Sequence, residues 1–310
     1  MKKSLLYVLI LVGMVSACSP ANRKNRIKYR FETANKKLED GYYADAVALY
    51  SQVLEKDPEI TDAYMNRGVA YYEMGKYVAA LADYNEVYRQ RPEYHDLLFN
   101  RAYTYLELGR MENAREDLTF LRTLYPDTAL IDVVEGLIFE EEKEYEAALQ
   151  SFSQAIARDA DHFDAYSNRG IIQYHLGAYD QAEADLRQAL EIHQNEPYVL
   201  NSLALVLAEK GELNSADSLI NLAMGMVGGQ PYFINNAGYI SLLQGKLDES
   251  DSLIRKSLKI DEDNPYAYEN LGKWYLAVDS TDQAKASFAK ALELDSAMEE
   301  SLELYQGLVE

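Results

Sequence analysis

The chain repeats itself every 34 residues, and that period limits its possible folds more than any other feature. Pro58, Pro92 and Pro126 keep this spacing, as do Gly41, Gly75 and Gly109, and again Gly177, Gly211 and Gly245. Ala46, Ala80, Ala114, Ala148, Ala182 and Ala216 follow it too; Ser250 then replaces alanine, and Ala284 restores it. The register runs without insertion or deletion from Ile27 to about Asp295. Residues 27–296 therefore divide into repeats starting near Ile27, Thr61, His95, Ala129, Phe163, Pro197, Pro231 and Pro265. A repeat of this length cannot bury its apolar face alone, so neighbours must stack.

Each repeat reads as helix, tight turn, helix, exit. In the second, Tyr64 to Tyr72 is one apolar-periodic stretch that Gly75 breaks, as a glycine just past a helix end should. A second stretch runs from Tyr77 through Leu81 and Tyr84 to Tyr88, and Pro92 closes it. The composition agrees: 48% of the chain is apolar, there are only 7 prolines, and Ala, Leu and Glu favour helices.

Gly68, Tyr71, Gly75, Ala80, Tyr84 and Pro92 occupy positions 8, 11, 15, 20, 24 and 32 of their repeat, and in these the chain resembles the tetratricopeptide repeat family. Position 8 is always Gly or Ala: Ala34, Gly68, Ala102, Gly136, Gly170, Ala204, Gly238 and Gly272. The resemblance implies an all-α, right-handed superhelical solenoid of about eight hairpins, closed by a capping helix over 297–310. In that cap Met298, Leu302 and Tyr305 share one apolar face. The two helices of a hairpin are expected to meet at the small residues of positions 8 and 20, so Gly68→Leu should overpack the crossing. The fourth repeat departs most, with Lys143 at the turn-glycine place, Asp132 where an aromatic is usual, and an acidic turn over 140–144. That turn is a solvated helix end or a contact for a basic partner. Gly228-Gly229 precedes the seventh repeat and is a candidate hinge, although the unchanged repeat length argues that stacking continues.

The first residues read as an address. A basic start, an apolar run from Leu5 to Val15 and then Ser16-Ala17 describe a secretory signal over 1–17, too short to span a membrane. Cys18 is the only cysteine, so no internal disulfide or thiolate metal cluster forms. Val15-Ser16-Ala17-Cys18 resembles the lipobox of bacterial lipoproteins, which implies cleavage before Cys18 and its acylation, the anchor being held by several buried chains. Val15 departs from the usual leucine. Ser19, in place of the aspartate tied to inner-membrane retention, points to the outer membrane, with the face left open. Residues 18–26 form a basic polar tether.

Nothing in the chain assembles into a catalytic centre. His95, His162, His175 and His193 lie at unrelated repeat positions, without the i, i+4 spacing of a helical metal site, and no phosphate loop, dinucleotide fingerprint or nucleophile elbow occurs. The expectation is a protein that is not an enzyme and carries no cofactor or metal. A formal charge of -21 repels phosphate backbones and sets nucleic acid aside as a ligand.

The family resemblance implies that first helices line a concave face that grips proteins, with positions 2, 5, 6, 9, 12 and 13 pointing inward. Position 6 supplies Asn66, Asn100, Asn168, Asn236 and Asn270, while positions 9 and 12 supply Val69, Tyr72, Tyr103, Leu106, Ile171, Tyr174, Leu205, Tyr239 and Leu242. Amides can both donate to and accept from a peptide backbone, and tyrosine adds area at low entropic cost. Position 5 carries no lysine, so the carboxylate clamp of chaperone-binding members is not expected. The leading expectation is thus a lipid-anchored scaffold or adaptor in the cell envelope, binding a peptide or protein segment. Glycan or other ligand capture is the alternative, disfavoured because Trp274 is the sole tryptophan.

Overall fold

The computed structural model describes residues 20–309, with side chains from Arg23 onward. Among these residues there are 17 helices and no strand. In repeat order they are α1 (Pro20–Glu39) and α2 (Tyr43–Lys56), α3 (Thr61–Glu73) and α4 (Tyr77–Gln90), α5 (Leu97–Glu107) and α6 (Met111–Leu124), α7 (Ala129–Glu141) and α8 (Tyr145–Arg158). There follow α9 (Phe163–His175) and α10 (Tyr179–Ile192), α11 (Pro197–Glu209) and α12 (Leu213–Val227), α13 (Pro231–Leu243) and α14 (Leu247–Ile260), α15 (Pro265–Ala277) and α16 (Thr281–Leu294), then the single helix α17 (Glu299–Val309). The chain forms two compact bodies, one ending at Ile138 and one beginning at Phe139, with the division inside α7.

Within the first body, α1 packs on α2, α2 on α3, and so on to α6; the first helices α1, α3 and α5 also meet one another directly. The second body repeats this scheme, with α9, α11, α13 and α15 in mutual contact. In each body the row of first helices is therefore the tighter, inner side. The packing continues across Gly228-Gly229, where α12 and α13 lie against each other.

The hairpin turn has a single geometry. In the second repeat, the Lys76 N–H donates to the Tyr71 carbonyl and the Gly75 N–H to the Tyr72 carbonyl, both at 2.8 Å, which satisfies helix-end acceptors and needs a left-handed residue at Gly75 (φ 67°). The fourth repeat makes the same turn with a lysine: Glu144 N–H donates to the Phe139 carbonyl at 2.8 Å while Lys143 sits at φ 61°. The sequence irregularity is thus a strained residue in an unchanged turn.

At the close helix crossing position 8 meets position 20 in the fifth repeat, where a Cβ on Gly170 would lie 3.3 Å from the Ala182 carbonyl, but the tightest neighbour is elsewhere. Position 8 lies beneath the side chain of position 24: a Cβ on Gly68 would meet Tyr84 at 2.6 Å, and one on Gly272 would meet Phe288 at 2.6 Å. Position-24 side chains are large and fully buried, so the small residue opposite is what gives them room.

Three guanidinium clamps fix hairpins to their predecessors. Arg67 donates to both carboxylate oxygens of Asp83 (2.8 and 2.7 Å) and reaches back to Ser51 Oγ at 2.9 Å. Arg101 does the same with Asp117 and Asn85, and Arg169 with Asp185 and Ser153. Each clamp joins positions 7 and 23 of one repeat and ties in the second helix of the repeat before. In the fourth repeat, fully buried Asp132 receives Arg122 at 2.9 Å, and Arg122 also donates to Glu135 at 2.7 Å, which explains a carboxylate where an aromatic is usual.

Both ends differ slightly from the sequence reading: in the C-terminal cap Met298 is buried and Tyr305 half-buried, but Leu302, expected on the same apolar face, is exposed. Helix α1 begins at Pro20, so most of the predicted tether is helical, and Arg23 donates to the Lys56 carbonyl at 2.8 Å. The arginines and lysine among these residues are good helix formers. At the other end α17 packs on α16, and its Ser301 hydroxyl donates to Glu269 at 2.7 Å. Cys18 and residues 1–17 lie outside the described residues.

Candidate functional site

The inner face of the first body holds a cleft of about 270 Å³ lined by Val69, Tyr72, Glu73, Tyr84, Asn100 and Tyr103. It forms because α3 and α5 run side by side: positions 9 and 12 of one repeat face positions 6 and 9 of the next. Tyr84, closing the floor, is the same ring that the missing Cβ of Gly68 admits. The Tyr72 ring stands edge-on to Tyr77 at 5.3 Å, and its hydroxyl donates to Glu107 Oε1 at 3.4 Å. Burial, reinforced by the Glu107 carboxylate, pushes the Tyr72 hydroxyl above the ordinary phenol range. The Tyr77 hydroxyl also faces Glu107; that hydrogen bond raises it, and burial and the charges of Glu107 and Glu73 add to the effect.

The structure thus brings together Tyr72, Asn100 and Tyr103 of the residues expected to bind. Asn66 is half-buried beside them in the same row and donates to Asn35 Oδ1 at 3.1 Å. That oxygen also accepts from the Tyr50 hydroxyl at 2.7 Å.

In the second body two of the amides make the same kind of cross-repeat bond as Asn66. The Asn236 amide donates to Asn201 Oδ1 at 2.9 Å and the Asn270 amide to Asn235 Oδ1 at 3.2 Å, both pairs buried. These residues join position 6 of one repeat to position 5 of the repeat before, so they clasp hairpins together. Asn168 is half-buried at the start of this body. Tyr239 donates to Glu209 Oε1 at 2.8 Å and lies beneath the Lys273 ammonium, 5.0 Å from its ring centre. Lys273 in turn pairs with Glu269 and, at 2.8 Å, with Glu300 of the cap. Burial raises the Tyr174 and Tyr239 hydroxyls, and Glu209 and Glu300 add to the effect in both. The inner groups of this body are therefore engaged with one another. Trp274, the ring a glycan site would want, has its indole N–H on the Leu247 carbonyl at 2.8 Å.

Sequence reasoning missed Glu73 and Glu107, which are ordinary exposed acidic residues until α3 and α5 are side by side. It also missed the clamps. Their signal was present: arginine stands at position 7 in the same three repeats that carry aspartate at position 23. Among the described residues no helix is long and apolar enough to cross a membrane, and no group of three or more His, Cys, Asp or Glu could hold a metal ion.

Two family models described as tetratricopeptide repeat match the chain, one over 31–95, 70–129 and 133–197, the other over 232–264 and 265–298. A lipoprotein NlpI homolog of Haemophilus influenzae is 32% identical over 85 residues, a stretch covering 27% of each chain. Among solved structures, one chain of the APC/C hetero-tetramer Cut9–Hcn1 superposes with a TM-score of 0.69 at 19% identity, over 86% of this chain and 53% of that one. A tetratricopeptide repeat protein from Parabacteroides merdae gives 0.60 at 19% identity, over 81% and 99%. PilF of Pseudomonas aeruginosa gives 0.55 at 17%, over 71% and 98%.

Proposed function

Because the chain belongs to the tetratricopeptide repeat family, we propose that it is a lipid-anchored adaptor of a bacterial envelope that holds a segment of a partner protein against its inner row of first helices. The observation that carries this reading is the cleft between α3 and α5, where two tyrosines and an amide surround open space deep enough for a side chain. Its walls suit a peptide: Tyr72 and Tyr103 supply apolar area, and Asn100 offers a donor and an acceptor. In the second body the corresponding Asn236, Asn270 and Tyr239 are engaged with neighbouring repeats. The protein is a holder rather than a catalyst.

The anchor rests on Cys18 at the end of an apolar leader, and the stretch shared with a lipoprotein favours it. The outer membrane is its expected location. A Cys18→Ser variant should move from the membrane pellet to the soluble fraction; wild-type chain found soluble would refute the anchor. Affinity capture from crosslinked membranes tests the groove. Asn100→Ala with Tyr103→Ala should lose the partners that the wild type retains while keeping its helical circular dichroism. Undiminished capture by that variant removes the groove from the account.

A further inference from the structure

We infer that the cleft of the first body receives the cationic side chain of an arginine or lysine on the partner segment, seated against Tyr72 between the carboxylates of Glu73 and Glu107. The inference rests on the adaptor reading and specifies what its site selects.

The buried carboxylates nearby are already neutralised: Asp83 by Arg67 and Asp117 by Arg101. Glu73 and Glu107 differ from these. Both are exposed, Glu73 lines the cleft, and Glu107 accepts from the Tyr72 hydroxyl. Both therefore flank the Tyr72 ring, Glu73 within the cleft and Glu107 at its hydroxyl, although they belong to successive repeats. Neither is ion-paired with any described residue; Glu107 meets the Tyr72 phenol, and Glu73 shares the cleft with Asn100. A cation entering between them is attracted by both charges.

The walls select an alkyl-stemmed cation over a bare ion. Tyrosine faces attract ammonium and guanidinium groups, and their ring area covers a methylene stem. The Asn100 side-chain oxygen can accept one N–H at the same depth. A formal charge of -21 over the whole chain attracts a basic segment before contact.

The test uses the full chain in detergent micelles and a displayed library of random dodecapeptides, followed by fluorescence anisotropy on the selected peptides. The expected result is selection of peptides rich in arginine or lysine. Their binding should weaken about tenfold when one basic residue becomes norleucine, and similarly in Glu73→Gln with Glu107→Gln. Both glutamates are exposed, so that variant should melt like the wild type. Peptides that lose binding with Asn100→Ala and Tyr103→Ala, yet tolerate both the norleucine exchange and the glutamine variant, would overturn the cation pocket and leave the groove standing. Selected peptides indifferent to Asn100 and Tyr103, or no selection at all, would overturn both.

Discussion

The clamp between Arg101 and Asp117 makes the sharpest energetic prediction. The two side chains are only 12% and 9% exposed, and two charge-assisted bonds of 2.7 and 2.5 Å join them. Arg101 also donates to Asn85 at 3.1 Å and lies 4.7 Å from the centre of the Tyr88 ring. Replacing Asp117 with leucine strands a guanidinium that water barely reaches, and Arg101→Leu strands the carboxylate. Each single change should cost about 3–5 kcal/mol. If the two losses were independent, the double variant would lose about 6–10 kcal/mol, comparable to the entire stability of a domain. The structure says otherwise, because the sixth repeat has Leu203 and Leu219 at the same two positions, both packed in the core of the second body. The double leucine variant should therefore lie within about 2 kcal/mol of wild type. Hydrogen exchange of the α5 and α6 amides in the full chain reads this out: a loss of about 4 kcal/mol speeds exchange roughly a thousandfold in each single variant. A double variant that exchanges as fast as either single one would refute the reasoning.

Gly272→Ala should lower the melting temperature, since the new Cβ would lie 2.6–2.8 Å from three carbons of the buried Phe288 ring; overpacking of about 1–3 kcal/mol outweighs the helix propensity gained. Gly225→Ala, with no neighbour within 4 Å, should instead stabilise by up to about 1 kcal/mol, and equal melting shifts in the two variants would contradict the packing argument. Lys143→Gly relieves a left-handed lysine at φ 61° and should stabilise by about 1 kcal/mol in thermal denaturation. The Glu86 carboxyl, bonded by Arg89 and Gln90, is held down to about 2 from 4.5, so its contribution is complete above about pH 4.5 and fades as pH falls toward 2. Glu86→Gln should make the acid limb of the stability profile shallower, and an unchanged limb would sink the assignment.

Much of this fold was legible because one register carries it. A glycine at 75 and a small residue at 68 each mark a local requirement, a left-handed turn and room for a ring, and each recurs at a fixed interval. What the sequence hid depends on neighbours brought together by packing. The partner of Gly68 is Tyr84 rather than Ala80, because a helix crossing is set by the side chain that reaches across it. Position 6 reads as one row of asparagines, yet Asn100 lines a cleft while Asn236 and Asn270 clasp hairpins. The difference lies at position 5 of the preceding repeat: Asn201 and Asn235 offer an amide acceptor, whereas Met65 does not. Glu107 acquires its meaning only when Tyr72, 35 residues earlier, donates to it.

The most direct test of the central claim is site-specific photocrosslinking in intact cells, with a benzophenone amino acid in place of Val69 in the cleft or of Thr119 on the exposed side of α6. The account predicts a discrete partner adduct from position 69 and none from 119. An adduct from 119 alone would show that the partner sits on the second helices, and the inner row would then not be the binding face.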